Sequence, residues 1–275
     1  QTAATAPLPA GLPPVTLLRT SPERYESTGA YLLGSINEDE GDWDIGTYWR
    51  FILDRQGRYV WAQQTPDDHW TIFVSVSRDG DDILWDEATY WTDFTFGPEG
   101  QVHRSKIDGS VVQTYATPNL QHAFVELPDE SIVWGASYGL EDALTQVFPD
   151  GSEQVLWSCM DYIIDLEYGE YCVHNGLYYD EARDSFLFSF YSLDSVLEID
   201  RTTGDVVHAW GHVPTAWAFD PSESAFWTQH GPSYTEAGTF LVSTHLSDDD
   251  QEGIVREYEL DEEAGTLRQI WTFGE

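Results

Sequence analysis

Positive charge is what this chain has least of. Its 275 residues carry 12 Lys and Arg against 49 Asp and Glu, a formal charge of −37, and Lys106 is its one lysine. Such a surface repels phosphate backbones and anionic bilayers, which excludes nucleic acid and anionic membranes as partners. Long apolar runs are also missing. None approaches the roughly 20 residues of a bilayer-spanning helix, so no membrane span is expected. No stretch keeps a useful helical period. Two acid-rich clusters, residues 37–44 and 247–250, are candidates for calcium, although neither has EF-hand spacing. Cysteine is limited to Cys159 and Cys172, in "WSCMDYIIDLEYGEYC".

What is present is apolar and aromatic. Hydrophobic residues make up 41% and aromatic residues 15% of the chain, enough for a packed core and too much for a disordered chain. The chain opens at Gln1 with "QTAATAPLPAGLPP", so residues 1–14 are expected to form a flexible lead-in and residues 15–275 one folded domain. This start predicts an exported protein, periplasmic or extracellular, from which a signal or surface anchor has been removed. In that setting Cys159 and Cys172 are expected to pair. A monomer is expected.

The chain repeats itself. Five hairpins run from an Asp, through a Gly turn, to a strand ending in an aromatic residue. They are "FILDRQGRYVW", "SKIDGSVVQTY", "QVFPDGSEQVLW", "LEIDRTTGDVVHAW" and "YELDEEAGTLRQIW". Between them lies a second hairpin opening on a histidine: His69, His122, His174 and His230, spaced by 53, 52 and 56 residues. Two hairpins in about 50 residues make one four-stranded blade of a β-propeller. The expected fold is all-β, with five blades of antiparallel strands. The first blade takes its early strand from "AYLLGSI" and lacks the histidine. Six blades is the alternative, should "VTLLRTS" form a blade of its own.

Equivalent repeat positions surround the propeller axis, so the four histidines are expected to converge there. Two chemistries suit such a ring. Four imidazoles could bind Cu, Fe or Zn through His69, His122, His174 and His230. Alternatively the imidazoles act as nucleophile, acid and base. A non-catalytic binding propeller with a structural ring is the third reading. The other four histidines, His103, His208, His212 and His245, are expected on outer strands or loops, at the surface.

Three stretches carry a family likeness: "NLQHAFVELPDESIVW", "VHNGLYYDEARDSFLFSFYSLDSVLEIDRTTGDVVHAWG" and "QHGPSYTEAGTFLVST". Over roughly residues 30–275 the chain resembles the bacterial arylsulfate sulfotransferases. The resemblance implies a propeller enzyme that takes a sulfuryl group from an aryl sulfate, hence a small aromatic substrate and no cofactor. His230 matches the family's nucleophile, and His122 and His174 match its supporting histidines. The family's sulfate-binding arginine aligns with Tyr191, and the Asp after its nucleophile with Gly231. Arg50, Arg104 and Arg256 are candidates to replace that arginine, and Asn175 is an expected neighbour of the site.

Overall fold

A computed structural model of the chain describes residues 8–17, 31–37, 46–66, 69–89, 99–138, 142–167, 171–245 and 253–274. It is all-β, built from five successive antiparallel sheets of the β-propeller blade type, and this matches the expected fold class of five blades. Most of the "VTLLRTS" segment and nearly all of both acidic calcium candidates fall outside the described residues. The chain divides into two compact units, Gln1–Pro118 and Asn119–Glu275.

The first unit holds two sheets. Strands β1 (Leu32–Asn37), β2 (Tyr48–Leu53) and β3 (Tyr59–Gln64) form one in that order. The other contains β4 (His69–Trp70), β5 (Val74–Val76), β6 (Ile83–Thr89), β7 (Gln101–Ser105) and β8 (Val111–Ala116). Both β4 and β5 pair with β6, so the strand that opens this blade is interrupted. The break is held by the Asp86 carboxylate, which accepts the Ile72 and Phe73 N–H groups at 3.0 and 2.8 Å. Burial raises the pKa of that carboxyl to about 7.

The second unit holds three sheets. The third blade contains β9 (Leu120–Glu126), β10 (Ile132–Ser137), β11 (Asp142–Val147) and β12 (Glu153–Ser158). A seven-residue helix, α1 (Cys159–Asp165), follows β12, where no helical pattern was expected; Ser158 caps it by accepting the Asp161 N–H at 3.5 Å. The fourth blade contains β13 (His174–Asp180), β14 (Ser185–Phe190), β15 (Ser195–Asp200) and β16 (Val206–Gly211). After β17 (Ala218–Asp220), the fifth contains β18 (His230–Tyr234), β19 (Phe240–His245), β20 (Gly253–Asp261) and β21 (Thr266–Phe273). Strand β17 lies parallel to β21 at the outer edge of this last sheet.

The turns explain the Asp–Gly signature. In Asp108–Ser110 and Asp150–Ser152 the Asp carboxylate accepts both the N–H and the hydroxyl of the Ser two residues on. Between the fourth and fifth blades, Leu187, Val196, Trp210, Phe226, Phe240, Val242, Tyr258 and Leu267 form a fully buried core. Each such side chain contributes about 1.5–3 kcal/mol by leaving water. Cys159 and Cys172 are joined in a disulfide and both are buried, as expected from their pairing.

Of the four histidines expected on outer strands or loops at the surface, His103 is a correction, and His208, His212 and His245 are half-buried with side-chain or ring partners. His103 is buried, with Nε2 3.2 Å from Glu87, while His208 donates Nδ1–H to the buried Glu198 at 2.7 Å. His212 stacks on Trp227 with ring centroids 3.9 Å apart, and His245 bonds the Thr228 hydroxyl. For His103 and His208 the cause is a carboxylate within the sheet, which draws a donor in with it when it leaves water.

Candidate functional site

The strands opening the three blades of the second unit, β9, β13 and β18, are broken at the same place. Opposite Gly135 of β10, β9 carries two extra residues in the stretch Gln121–Ala123. One extra residue follows His174 in β13, and one follows His230 in β18. Each bulge sits at a repeat histidine, and a bulge turns its side chain out of the ladder's alternation. His122 shows the local cost, because its φ is 61°, a left-handed conformation sparsely populated by residues other than glycine. The result brings the three rings together. The centroid of His122 lies 6.3 Å from that of His174 and 6.3 Å from that of His230.

The three rings occupy different environments. His174 is fully buried. Its Nδ1 donates to Asp142 Oδ2 at 2.5 Å, its Nε2 to the Gln121 carbonyl at 2.6 Å, and its backbone N–H to the same Asp142 oxygen at 2.6 Å. A carboxylate on one ring nitrogen and a carbonyl on the other require two donors, the pattern of an imidazolium paired with Asp142. Gly135 makes room for this ring, since a Cβ there would sit 2.0 Å from His174 Nε2. The ring also packs on Phe188, with centroids 4.9 Å apart.

His122 lies in the middle. Burial pushes its pKa down to about 3, with His174 and His230 adding to the effect, so the ring is neutral at physiological pH. His230 opens to solvent. Its Nδ1 donates to the Thr228 carbonyl at 3.0 Å, which fixes the tautomer and leaves a lone pair on Nε2. Its pKa is lowered, first by burial of part of the ring and then by His245, against the raising effect of the Thr228 carbonyl.

Asn175 is a neighbour, as expected. Its Nδ2 donates to the Gln229 carbonyl at 2.6 Å and its Oδ1 accepts the Ser189 hydroxyl at 2.7 Å. Gln229 is buried and donates to the Phe190 and Ser195 carbonyls at 3.1 and 2.9 Å, so the residue before His230 anchors the fifth blade to the fourth. Tyr191 is half exposed in a 3-10 turn after β14. Of the candidate replacement arginines, Arg256 is buried and donates to the Ala225 carbonyl at 2.6 Å. Arg50 and Arg104 belong to the first unit: Arg50 covers Trp85, and Arg104 pairs with Asp82 at 3.3 Å. His69 also belongs to the first unit, with Nδ1 4.0 Å from Glu87.

Sequence reasoning missed Asp142, Gln121, Gly135, Thr228 and Asp194. Two left a trace. Gly135 interrupts an otherwise apolar strand, "IVWGAS", and Asp142 opens "DALTQV", a strand buried throughout. Among the described residues, no group of three or more His, Cys, Asp or Glu side chains is arranged to hold a metal ion. In the second unit, a ligand role for His174 would require breaking its bond to Asp142 or to Gln121. No helix among the described residues is long and apolar enough to cross a membrane.

No family model and no curated protein matches the sequence. Solved structures do match in fold. A protein of unknown function from Bacteroides caccae aligns with a TM-score of 0.55 at 13% identity, covering 89% of this chain and 72% of its own. The periplasmic gluconolactonase PpgL of Pseudomonas aeruginosa aligns with a TM-score of 0.50 at 14% identity, covering 92% and 70%. TolB of Acinetobacter baumannii gives 0.50 at 13%, covering 81% and 48%. At such identities the likeness is one of fold, and the class it defines is the β-propeller.

Proposed function

We propose that this chain is an exported enzyme that transfers a sulfuryl group from an aryl sulfate through His230. The observation that carries the reading is the state of His230. Its Nδ1–H is tied to the Thr228 carbonyl, its Nε2 lone pair is open, and its pKa is lowered, so the nucleophile is ready at neutral pH. The resemblance of the three histidine stretches to arylsulfate sulfotransferases supplies the substrate class. The buried disulfide Cys159–Cys172 supports export, because such bonds persist in oxidising compartments.

In the first half-reaction Nε2 of His230 attacks sulfur, the sulfur–oxygen bond to the aryl group breaks, and aryloxide leaves with the electron pair. In the second, a phenol oxygen attacks sulfur, the sulfur–nitrogen bond breaks, and His230 recovers its lone pair. The proton given up by the acceptor phenol ends on the released aryloxide, so charge balances. Neutral His122 offers an N–H to the sulfuryl oxygens. The His174–Asp142 pair fixes the wall behind it. Tyr191, which the resemblance aligns with the family's arginine, would supply a hydroxyl in its place.

Incubation with 4-nitrophenyl sulfate and phenol tests the reading. The expected result is phenyl sulfate formation and one sulfuryl group on the His230 peptide. His230→Ala should lower transfer by about a thousandfold or more. Absence of transfer by the wild type, or its survival in His230→Ala, would overturn it.

A further inference from the structure

The Thr228 backbone lies in the left-handed region, with φ at 43°. A β-branched residue avoids this conformation unless its surroundings impose it. Here three neighbours do so. The Thr228 N–H donates to Asp194 Oδ1 at 2.7 Å, the hydroxyl bonds His245 Nδ1, and the carbonyl accepts the His230 Nδ1–H at 3.0 Å. The preceding residue is clamped as well. The Trp227 N–H donates to Thr244 Oγ1 at 2.9 Å, and its carbonyl accepts the Thr244 hydroxyl at 2.8 Å and the His245 N–H at 3.2 Å. The end of β19 therefore carries the turn that leads into His230.

We propose that His245 is a positioning residue for His230, acting through Thr228 to hold the Nε2 lone pair of His230 toward the substrate. The inference rests on reading His230 as the reacting group, but it concerns the state of that ring and can be tested apart from turnover. The ionisable groups around His230 are the ring of His122 from β9, His245 from β19 and, through Thr228, Asp194 from the turn before β15. Of these, His245 disfavours a proton on His230. A hydroxyl held on one side by an imidazole and a carbonyl held on the other fix one rotation of the Thr228 peptide, and with it one tautomer of His230.

Nitrogen NMR of the full chain with labelled histidine reads that tautomer directly. In the wild type His230 is expected as the Nδ1–H form. His245→Phe should shift the tautomer ratio by roughly fivefold toward Nε2–H, the worth of one hydrogen bond, and lower kcat with little change in KM. Thr228→Val should act alike, and it serves as the second variant should His245→Phe fail to fold. Thr228→Ser keeps the hydroxyl and should behave as the wild type. His245→Asn keeps a polar atom near the lost Nδ1, so the tautomer should return, while the titration midpoint of His230 moves up because the repulsion from His245 is gone. An unchanged His230 tautomer in both His245→Phe and Thr228→Val would overturn the proposal. A tautomer shift in a protein that never transfers sulfuryl groups would sink the sulfotransferase reading and leave the positioning role standing.

Discussion

Asp142→Asn isolates the buried pair on which the histidine cluster rests. His174 is fully buried and donates from both ring nitrogens, to Asp142 and to the Gln121 carbonyl. The amide oxygen of Asn can still accept from Nδ1, so shape is kept and the counter-charge is lost. Two responses compete. If His174 stays an imidazolium, a buried charge stands unpaired, at about 3–5 kcal/mol. If it releases the Nε2 proton, the Gln121 carbonyl loses its donor, at about 1–3 kcal/mol. The cheaper route wins, so stability should fall by about 1–3 kcal/mol, or roughly 2–4 °C in Tm for each kcal/mol in a chain of this size. Thermal and denaturant unfolding measure the loss, and proton NMR counts the ring N–H groups of His174. Gly135→Ala attacks the same ring by pushing a methyl against Nε2, so the double variant should lose less than the sum of the two. A change under about 0.5 kcal/mol for Asp142→Asn, strict additivity, or a single ring N–H on wild-type His174 would refute the reasoning.

Reduction of the Cys159–Cys172 bridge, followed by alkylation, should cost about 3 kcal/mol in the chain-entropy account of its 13-residue separation, read as a lower denaturant midpoint. His122 binds its proton only near pH 3 in the folded chain but near 6.5 when unfolded. Between those values the unfolded state holds more protons, so stability falls as pH drops below about 6.5; His122→Asn, which tolerates the left-handed backbone, should flatten that slope in pH-dependent unfolding. At a net charge of −37, added NaCl should raise Tm by screening self-repulsion, and a flat or falling response would show that the charges are already compensated. Protein purified without a histidine tag should contain metal well below one ion per chain by elemental analysis; a stoichiometric Cu, Fe or Zn would move the four-histidine reading ahead of the nucleophile.

The blades were legible because their signals are local. Asp108–Gly109–Ser110 and Asp150–Gly151–Ser152 state their turns within three residues, and the histidine interval of about 50 residues states the blade. That interval predicted a ring of four histidines, of which His122, His174 and His230 gather in the second unit while His69 belongs to the first. The different states of the three did not follow from it. The two partners of His174 lie 32 and 53 residues away, one of them a backbone carbonyl that no residue type announces. His245 looked like a surface residue because its partner is a threonine whose left-handed turn is imposed from the turn before β15 and from the end of β19. Helix α1 escaped for a simpler reason, because seven residues are too few to establish a 3.6-residue period.

Three residues around the cluster, His122, Asp194 and Thr228, hold backbone angles that glycine adopts without strain. Each contributes a group that glycine lacks: a ring beside His174 and His230, a carboxylate for the Thr228 N–H, and a hydroxyl for His245. On backbone strain alone glycine suits all three positions, so the present residues are held there by what their side chains do. Under the proposed function, glycine at all three positions among diverged descendants of this chain would mark lineages that kept the propeller and gave up sulfuryl transfer, even where His230 itself survives.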